Sequence, residues 1–170
     1  MMLSAAAAAE LYSLLRRSNV RCWVMGGWGV DALLGRQSRD HHDLDVLVLA
    51  DDLGNLHRLL DERGFVTKLV WENENRWLEV GGERWPTAFV AESHGGVELD
   101  VHVIEMGEGG AAVPLCDVPW PFDADSLEGR GTIAGTSVAC VSGQTQVAMH
   151  DGYELPEAHQ RDVELLQLLL

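Results

Sequence analysis

The chain has 170 residues and 46% of them are apolar, enough for one compact domain with a core and too apolar for a disordered segment. Its formal charge is −15, with a single lysine, Lys68, among 12 basic residues. A surface this acidic repels nucleic acid, so DNA and RNA are excluded as partners and a cationic or metal-bound one is favoured.

The first element is a helix over 4–18. Ser4 stands where an N-cap belongs, and Leu11, Leu14 and Leu15 share one face. The stretch lacks the basic start of a secretory signal, so it reads as part of the mature domain and the location as cytoplasmic. No apolar run approaches the ~20 residues that span a bilayer, so no membrane segment is expected. A short strand over 21–25 ends at Gly26-Gly27, a short helix over 28–35 stops at Gly35, and a strand follows over 43–49. A helix over 52–63 carries Leu53, Leu56, Leu59 and Leu60 on one face.

Strand patterns then cover 65–71, 76–80, 85–91 and 97–104, with Gly-Gly pairs at 81–82 and 95–96 marking hairpins. The Gly-, Pro- and Asp-rich stretch 106–131 reads as a long loop. A strand over 138–141 precedes helices over 143–153 and 156–170. The fold class is α/β (α+β): a mixed sheet flanked by helices, with a helical C-terminal segment in one domain, 1–170. Cys22, Cys116 and Cys140 are isolated and odd in number, which excludes a disulfide framework.

Two chemistries compete for the stretch GGWGVDALLGRQSRDHHDLDVLVL, residues 26–49. Gly27-Trp28-Gly29-Val30-Asp31-Ala32 fits a dinucleotide-binding turn, with Asp51 and Asp52 about twenty residues on. Against it, the helix is too short to cross a sheet, and the next strand begins with two charges where a doubly wound sheet is apolar. Asp43 and Asp45, two apart on a strand, project from the same face. Their charges repel unless a cation lies between them, and a hard ion with oxygen ligands, Mg²⁺ above all, fits.

In VELDVHV, residues 97–103, strict alternation puts Glu98, Asp100 and His102 together. If this strand lies beside 43–49, Asp100 completes a three-carboxylate cluster able to hold two Mg²⁺, which suits phosphoryl or nucleotidyl transfer. Gly26-Gly27, entering a helix, offers backbone N–H groups to phosphate oxygens. Asp31 is read either as a cap or as the partner of an arginine. Adjacent His41 and His42 point to opposite sides of an extended segment and make a poor zinc chelate. His42-Asp43 enters a strand, unlike the HD pair of metal phosphohydrolases.

GGWGVD, RDHHDLDV and LDVH, with the tail VSGQTQVAMHDGYELPEAHQRDVELL, resemble the small antibiotic nucleotidyltransferases of the DNA polymerase β superfamily, over about residues 8–168. The lincosamide nucleotidyltransferases are the nearer likeness and the aminoglycoside 2″-adenylyltransferases the more distant one. The resemblance implies Asp43, Asp45 and Asp100 as metal ligands, with Asp100 as ligand, general base or both. It implies Gly26 and Gly27 at the triphosphate, with Arg39 placed to contact phosphate. It also implies Mg²⁺ as cofactor, ATP or another nucleoside triphosphate as co-substrate, and a monomer or homodimer. For the acceptor, Glu98, His102, Trp85 and Glu105 are candidate contacts. Trp71, Trp77 and Trp120, the acids 117, 123 and 125, and the pair His150 and Tyr153 are further possibilities. The likeness favours a lincosamide, while the charge tips the expectation slightly toward a polycationic aminoglycoside. A protein-modifying nucleotidyltransferase and a non-catalytic nucleotide- or drug-binding module are the alternatives.

Overall fold

A computed structural model describes residues 1–116, 122–150 and 154–170. Trp120, Asp117 and Tyr153 lie outside the described residues. In chain order the elements are α1 (Ala5–Arg17), β1 (Cys22–Met25), α2 (Gly26–Leu34), β2 (Asp43–Leu49), α3 (Leu53–Glu62), β3 (Phe65–Val70), β4 (Trp77–Val80), β5 (Glu83–Pro86), β6 (Ala88–Ser93), β7 (Glu98–Met106), β8 (Ala112–Pro114), β9 (Gly129–Ile133), β10 (Thr136–Cys140), α4 (Gly143–Ala148) and α5 (Glu157–Gln167). No helix among the described residues is long and apolar enough to cross a membrane.

Ser4 caps α1, accepting the Ala7 N–H, and Arg16 and Arg17 lie in the last turn, where cations favour the helix dipole. Leu11 and Leu15 are buried on the sheet-facing side. Gly35 ends α2 in the left-handed conformation, φ 68°.

The main sheet runs β3-β6-β7-β2-β1-β10-β9, with β8 paired to the end of β7. β2 is parallel to β7 and antiparallel to β1. That antiparallel step removes the dinucleotide reading, which needs a crossover between parallel strands. Asp52 has a structural role instead. It accepts the Arg21 backbone N–H and Nε, each at 2.8 Å. Burial opposes its ionisation, but these bonds hold its carboxyl below the usual range.

The two faces of the central strands differ. Leu44, Val46 and Val48 of β2 and Leu99, Val101 and Val103 of β7 join the main core with Leu11, Leu15, Leu53 and Leu56. On the opposite face, Leu47, Leu49 and Ile104 meet Met25, Phe122 and Val141 in a smaller apolar cluster. By strand alternation this second face is acidic at one end and apolar at the other.

Three sequence expectations are corrected. The strand expected over 85–91 is two strands of different sheets, broken at Thr87. The buried Thr87 N–H is met by Asn75 Oδ1 at 2.8 Å, and its hydroxyl donates to the Leu115 carbonyl at 2.7 Å. β4 and β5 then form their own two-stranded sheet. The loop expected over 106–131 contains β8 and the start of β9, whose Gly-rich sequence hides an edge strand. The short helix begins at Gly26, not at 28.

His57 of α3 stacks on Trp85 with ring centroids 3.4 Å apart. Burial pushes its imidazole down to about 4, and Nε2 is buried with no hydrogen-bond partner among the described residues. A depressed histidine contributes fully above its unfolded value near 6.5 and loses that contribution as pH falls toward about 4. His57→Phe keeps a ring on Trp85 and removes the titration. Its melting temperature is expected to exceed the wild type's by several degrees more at pH 5 than at pH 8, as read by calorimetry.

Candidate active site

The parallel pairing of β2 and β7 sets Asp45 directly beside Asp100, and Asp43 beside Glu98. Asp43, Asp45 and Asp100 each present a carboxylate oxygen within 4.8 Å of the other two. The alternation that sends their neighbours into the core forces these acids onto one face. Burial, then repulsion from Asp43 and Asp100, raises the Asp45 carboxyl well above its usual range. Burial, then Asp100, raises Asp43 as well. Three carboxylate oxygens this close together are matched by a hard divalent cation, so the residues present fit such an ion.

Two side chains fix Asp100 from outside the cluster. The Trp71 indole N–H donates to both of its oxygens, at 3.0 and 3.2 Å. His102 places Nε2 3.4 Å from Asp100 and Nδ1 3.4 Å from Glu74. Sequence pattern offered Trp71 only as one of several tryptophans that could line the acceptor pocket or pack in the core. Its bond to Asp100 depends on β6 lying between β3 and β7, which no local signal shows.

The glycine pair abuts the acids. Gly26 has φ +60°, and a Cβ built there would lie 2.3 Å from Asp45 Oδ2. Only glycine fits on both counts, which keeps the backbone at the start of α2 against the carboxylate. The pair opens onto a cavity of about 430 Å³ whose polar lining includes Arg39, Asp43, Asp45, Glu74 and His102. Its apolar lining includes Leu47, Val103, Leu115, Phe122 and Met149, and His150 and His159 border it too.

The other expected residues fall in different places. Arg39 lines the cavity, but its Nε and Nη2 are taken by Asp162 of α5, at 3.1 and 2.7 Å. Among the described residues Asp31 forms no ion pair with an arginine. It accepts from the Ser38 hydroxyl at 2.5 Å and lies 2.6 Å from His41 Nε2. Burial opposes its ionisation, yet these bonds hold it below the usual range. Glu98 is bound by Lys68 at 2.5 Å. Trp85 is stacked on His57 on the helix-covered side of the sheet, and Glu105 is exposed, alternating away from the Asp100 face. Neither is brought to the cavity. Asp123 and Asp125 are exposed as well. His41 is buried and His42 exposed, so the two diverge as the extended chain requires.

A family model described as aminoglycoside-2''-adenylyltransferase matches residues 8–166. A lincosamide resistance protein of Staphylococcus haemolyticus is 25% identical over 159 residues, covering 92% of this chain and 90% of that protein. The lincomycin-bound crystal structure of the lincosamide antibiotic adenylyltransferase LnuA superposes with a TM-score of 0.75 at 23% identity, covering 95% of this chain and 94% of that one. The crystal structure of ANT(2")-Ia in complex with adenylyl-2"-tobramycin gives a TM-score of 0.65 at 22% identity, covering 97% and 88%. At these identities the two structures establish the fold, that of the nucleotidyltransferases. The family model spans nearly the whole chain: it belongs to the aminoglycoside-2''-adenylyltransferase family of antibiotic nucleotidyltransferases.

Proposed function

We propose that this enzyme transfers AMP from Mg·ATP to a hydroxyl of a lincosamide antibiotic, in the cytoplasm, where ATP is available. The observation that carries the transfer reading is the three-carboxylate cluster set against the glycine pair. A nucleotidyltransferase takes a nucleoside triphosphate and a divalent metal. Asp43, Asp45 and Asp100 would hold the metal. Bound there, Mg²⁺, as two ions in this reading, would polarise the α-phosphate and stabilise the pyrophosphate leaving group.

The chain's own groups do the rest. Backbone N–H groups at the start of α2 receive phosphate oxygens. Asp100, oriented by Trp71 and His102, accepts the proton of the acceptor hydroxyl as its oxygen bonds to the α-phosphorus. The bond from that phosphorus to pyrophosphate breaks in the same in-line displacement, with no covalent enzyme intermediate.

The choice of acceptor rests on where the charge is. Many of the acids are exposed on the surface, among them Asp40, Asp51, Asp61, Glu72, Glu79 and Glu83. Among the described residues of the cavity, only Glu74 is a carboxylate committed neither to the cluster nor to Arg39. A wall of Val103, Pro114, Leu115 and Phe122, with Glu74 beside His102 as its one further acid, suits an amphiphilic acceptor of single positive charge better than a polycation. The full-length likeness to the lincosamide resistance protein points the same way. The −15 net charge favours the second reading, an aminoglycoside acceptor. Competition between lincomycin and tobramycin for limiting enzyme, with Mg·ATP, discriminates them. The expected result is adenylylated lincomycin in excess, and exclusive modification of tobramycin would reverse the assignment.

A further inference from the structure

Arg39 stands at the cavity beside the glycine pair, where an arginine would ordinarily be read as a free clamp for phosphate. Its hydrogen bonds say otherwise. Nε and Nη2 form a fork on Asp162 of α5. Nη1 donates to the Asp40 carbonyl at 3.2 Å and faces His41 Nδ1 at 3.1 Å. Of the five N–H donors of a guanidinium, one on Nη2 is left over among the described residues. Because Nη1 can only donate, His41 Nδ1 is the acceptor, and the ring proton is on Nε2, directed at Asp31 Oδ2 at 2.6 Å. Asp31, on α2, is closed by Ser38. The result is a chain of bonds from α5 through Arg39 and His41 to α2, with Asp162, His41 and Asp31 all buried.

This chain presses on the backbone of Gly27. A Cβ built there would lie 2.3 Å from His41 Nδ1 and 2.7 Å from Arg39 Nη2. Gly27 therefore rests its backbone on the imidazole and guanidinium, with no side chain between them. We propose that Asp31, His41, Arg39 and Asp162 act together as a positioning relay: the C-terminal helix, through Arg39, sets the place of the Gly26-Gly27 backbone that receives the triphosphate. Arg39 is a positioning residue in this account, contributing at most one direct donor to phosphate. The inference rests on the functional reading above, since it assumes that the glycine pair receives a nucleotide.

The test is calorimetric binding of a Mg-bound, non-hydrolysable ATP analogue to wild type, Asp162→Asn, Arg39→Lys and the double variant, with thermal melts as the check on folding. Lysine keeps the charge and loses the fork. The expected result is a Kd raised about tenfold to a hundredfold in each single variant, of the order that a misplaced binding group costs. The double variant should be no worse than the weaker single, because both break one chain. In the transfer assay, the KM for nucleotide should rise while the KM for the antibiotic stays unchanged. A folded Asp162→Asn that binds the analogue as tightly as wild type, beside a weakened Arg39→Lys, overturns the relay and restores the direct clamp. Should Asp162→Asn not fold, Asp31→Asn at the other end of the chain gives the same comparison, and an unchanged Kd there overturns the relay equally. Failure of the wild type itself to bind the analogue overturns the functional reading, and the relay with it.

Discussion

Asp45→Asn is expected to lower kcat for antibiotic adenylylation by about a thousandfold or more while making the metal-free protein more stable. The loss follows from removing a ligand of an ion that would supply several kcal/mol of transition-state stabilisation, at about 1.4 kcal/mol per tenfold. The gain follows from the raised Asp45 carboxyl. An acid whose folded value lies above its unfolded one holds its proton more tightly in the native state. Its ionisation therefore destabilises the fold progressively as pH rises from the ordinary aspartate range, near 4, through the raised value. Asparagine removes that ionisation. In EDTA the variant's advantage in melting temperature should be larger at pH 8 than at pH 4. Adding Mg²⁺ should raise the wild type's melting temperature and leave the variant's nearly unchanged. Opposite signs for activity and stability are hard to obtain from a residue that only packs.

Gly26→Ala is the second large effect. The left-handed backbone at φ +60° costs an alanine about 1–2 kcal/mol, and the added methyl, 2.3 Å from Asp45 Oδ2, forces a shift costing about 1–3 more. A destabilisation of about 2–5 kcal/mol is expected, with transfer reduced about a hundredfold as the displaced carboxylate leaves its neighbours. Gly35→Ala is the control. Gly35 shares the conformation, φ +68°, but nothing lies within 4 Å of its added Cβ. It should show the backbone cost alone, in urea titrations of both variants, with activity retained. Equal effects at the two positions would mean that the collision with Asp45 contributes nothing.

The contrast between these residues shows what the sequence makes legible. Asp43, Asp45 and Asp100 could be found because a strand's period of two assigns faces without any knowledge of neighbours. Their apolar partners Leu44, Val46, Leu99 and Val101 also had to share one core. The only long-range step was the adjacency of β2 and β7. The helices and most strand boundaries followed in the same way, from Ser4, from Gly35 and from the Gly-Gly hairpins. Thr87 was invisible because its break is made by Asn75 and by the Leu115 carbonyl, 28 residues away. Asp162 was invisible for the same reason, since 123 residues separate it from Arg39. Local patterning reports which way a side chain points, not what reaches it from another element.

Trp85 and Glu105 show the same limit from the other side. An aromatic and an acid near the acceptor end of the sequence looked like substrate contacts. Strand alternation carries Glu105 away from the Asp100 face, and the buried His57 of α3 takes Trp85 as its stacking partner. Overall charge and the cavity lining point to different acceptors. A total of −15 describes the whole chain, whereas the described lining of the cavity beyond Asp43 and Asp45 mixes apolar side chains such as Leu47, Val103, Leu115 and Phe122 with Arg39, Glu74 and His102.

Adenylyl transfer at a metal site formed by the carboxylates of two adjacent parallel strands leaves a direct chemical signature on the acceptor. Mass spectrometry of lincomycin after incubation with the enzyme and Mg·ATP tests it most directly. The predicted result is a gain of one AMP residue with equimolar pyrophosphate, abolished by EDTA and by Asp45→Asn. An adduct formed at undiminished rate in EDTA or by Asp45→Asn would contradict the claim, as would the absence of any adduct on both lincomycin and tobramycin.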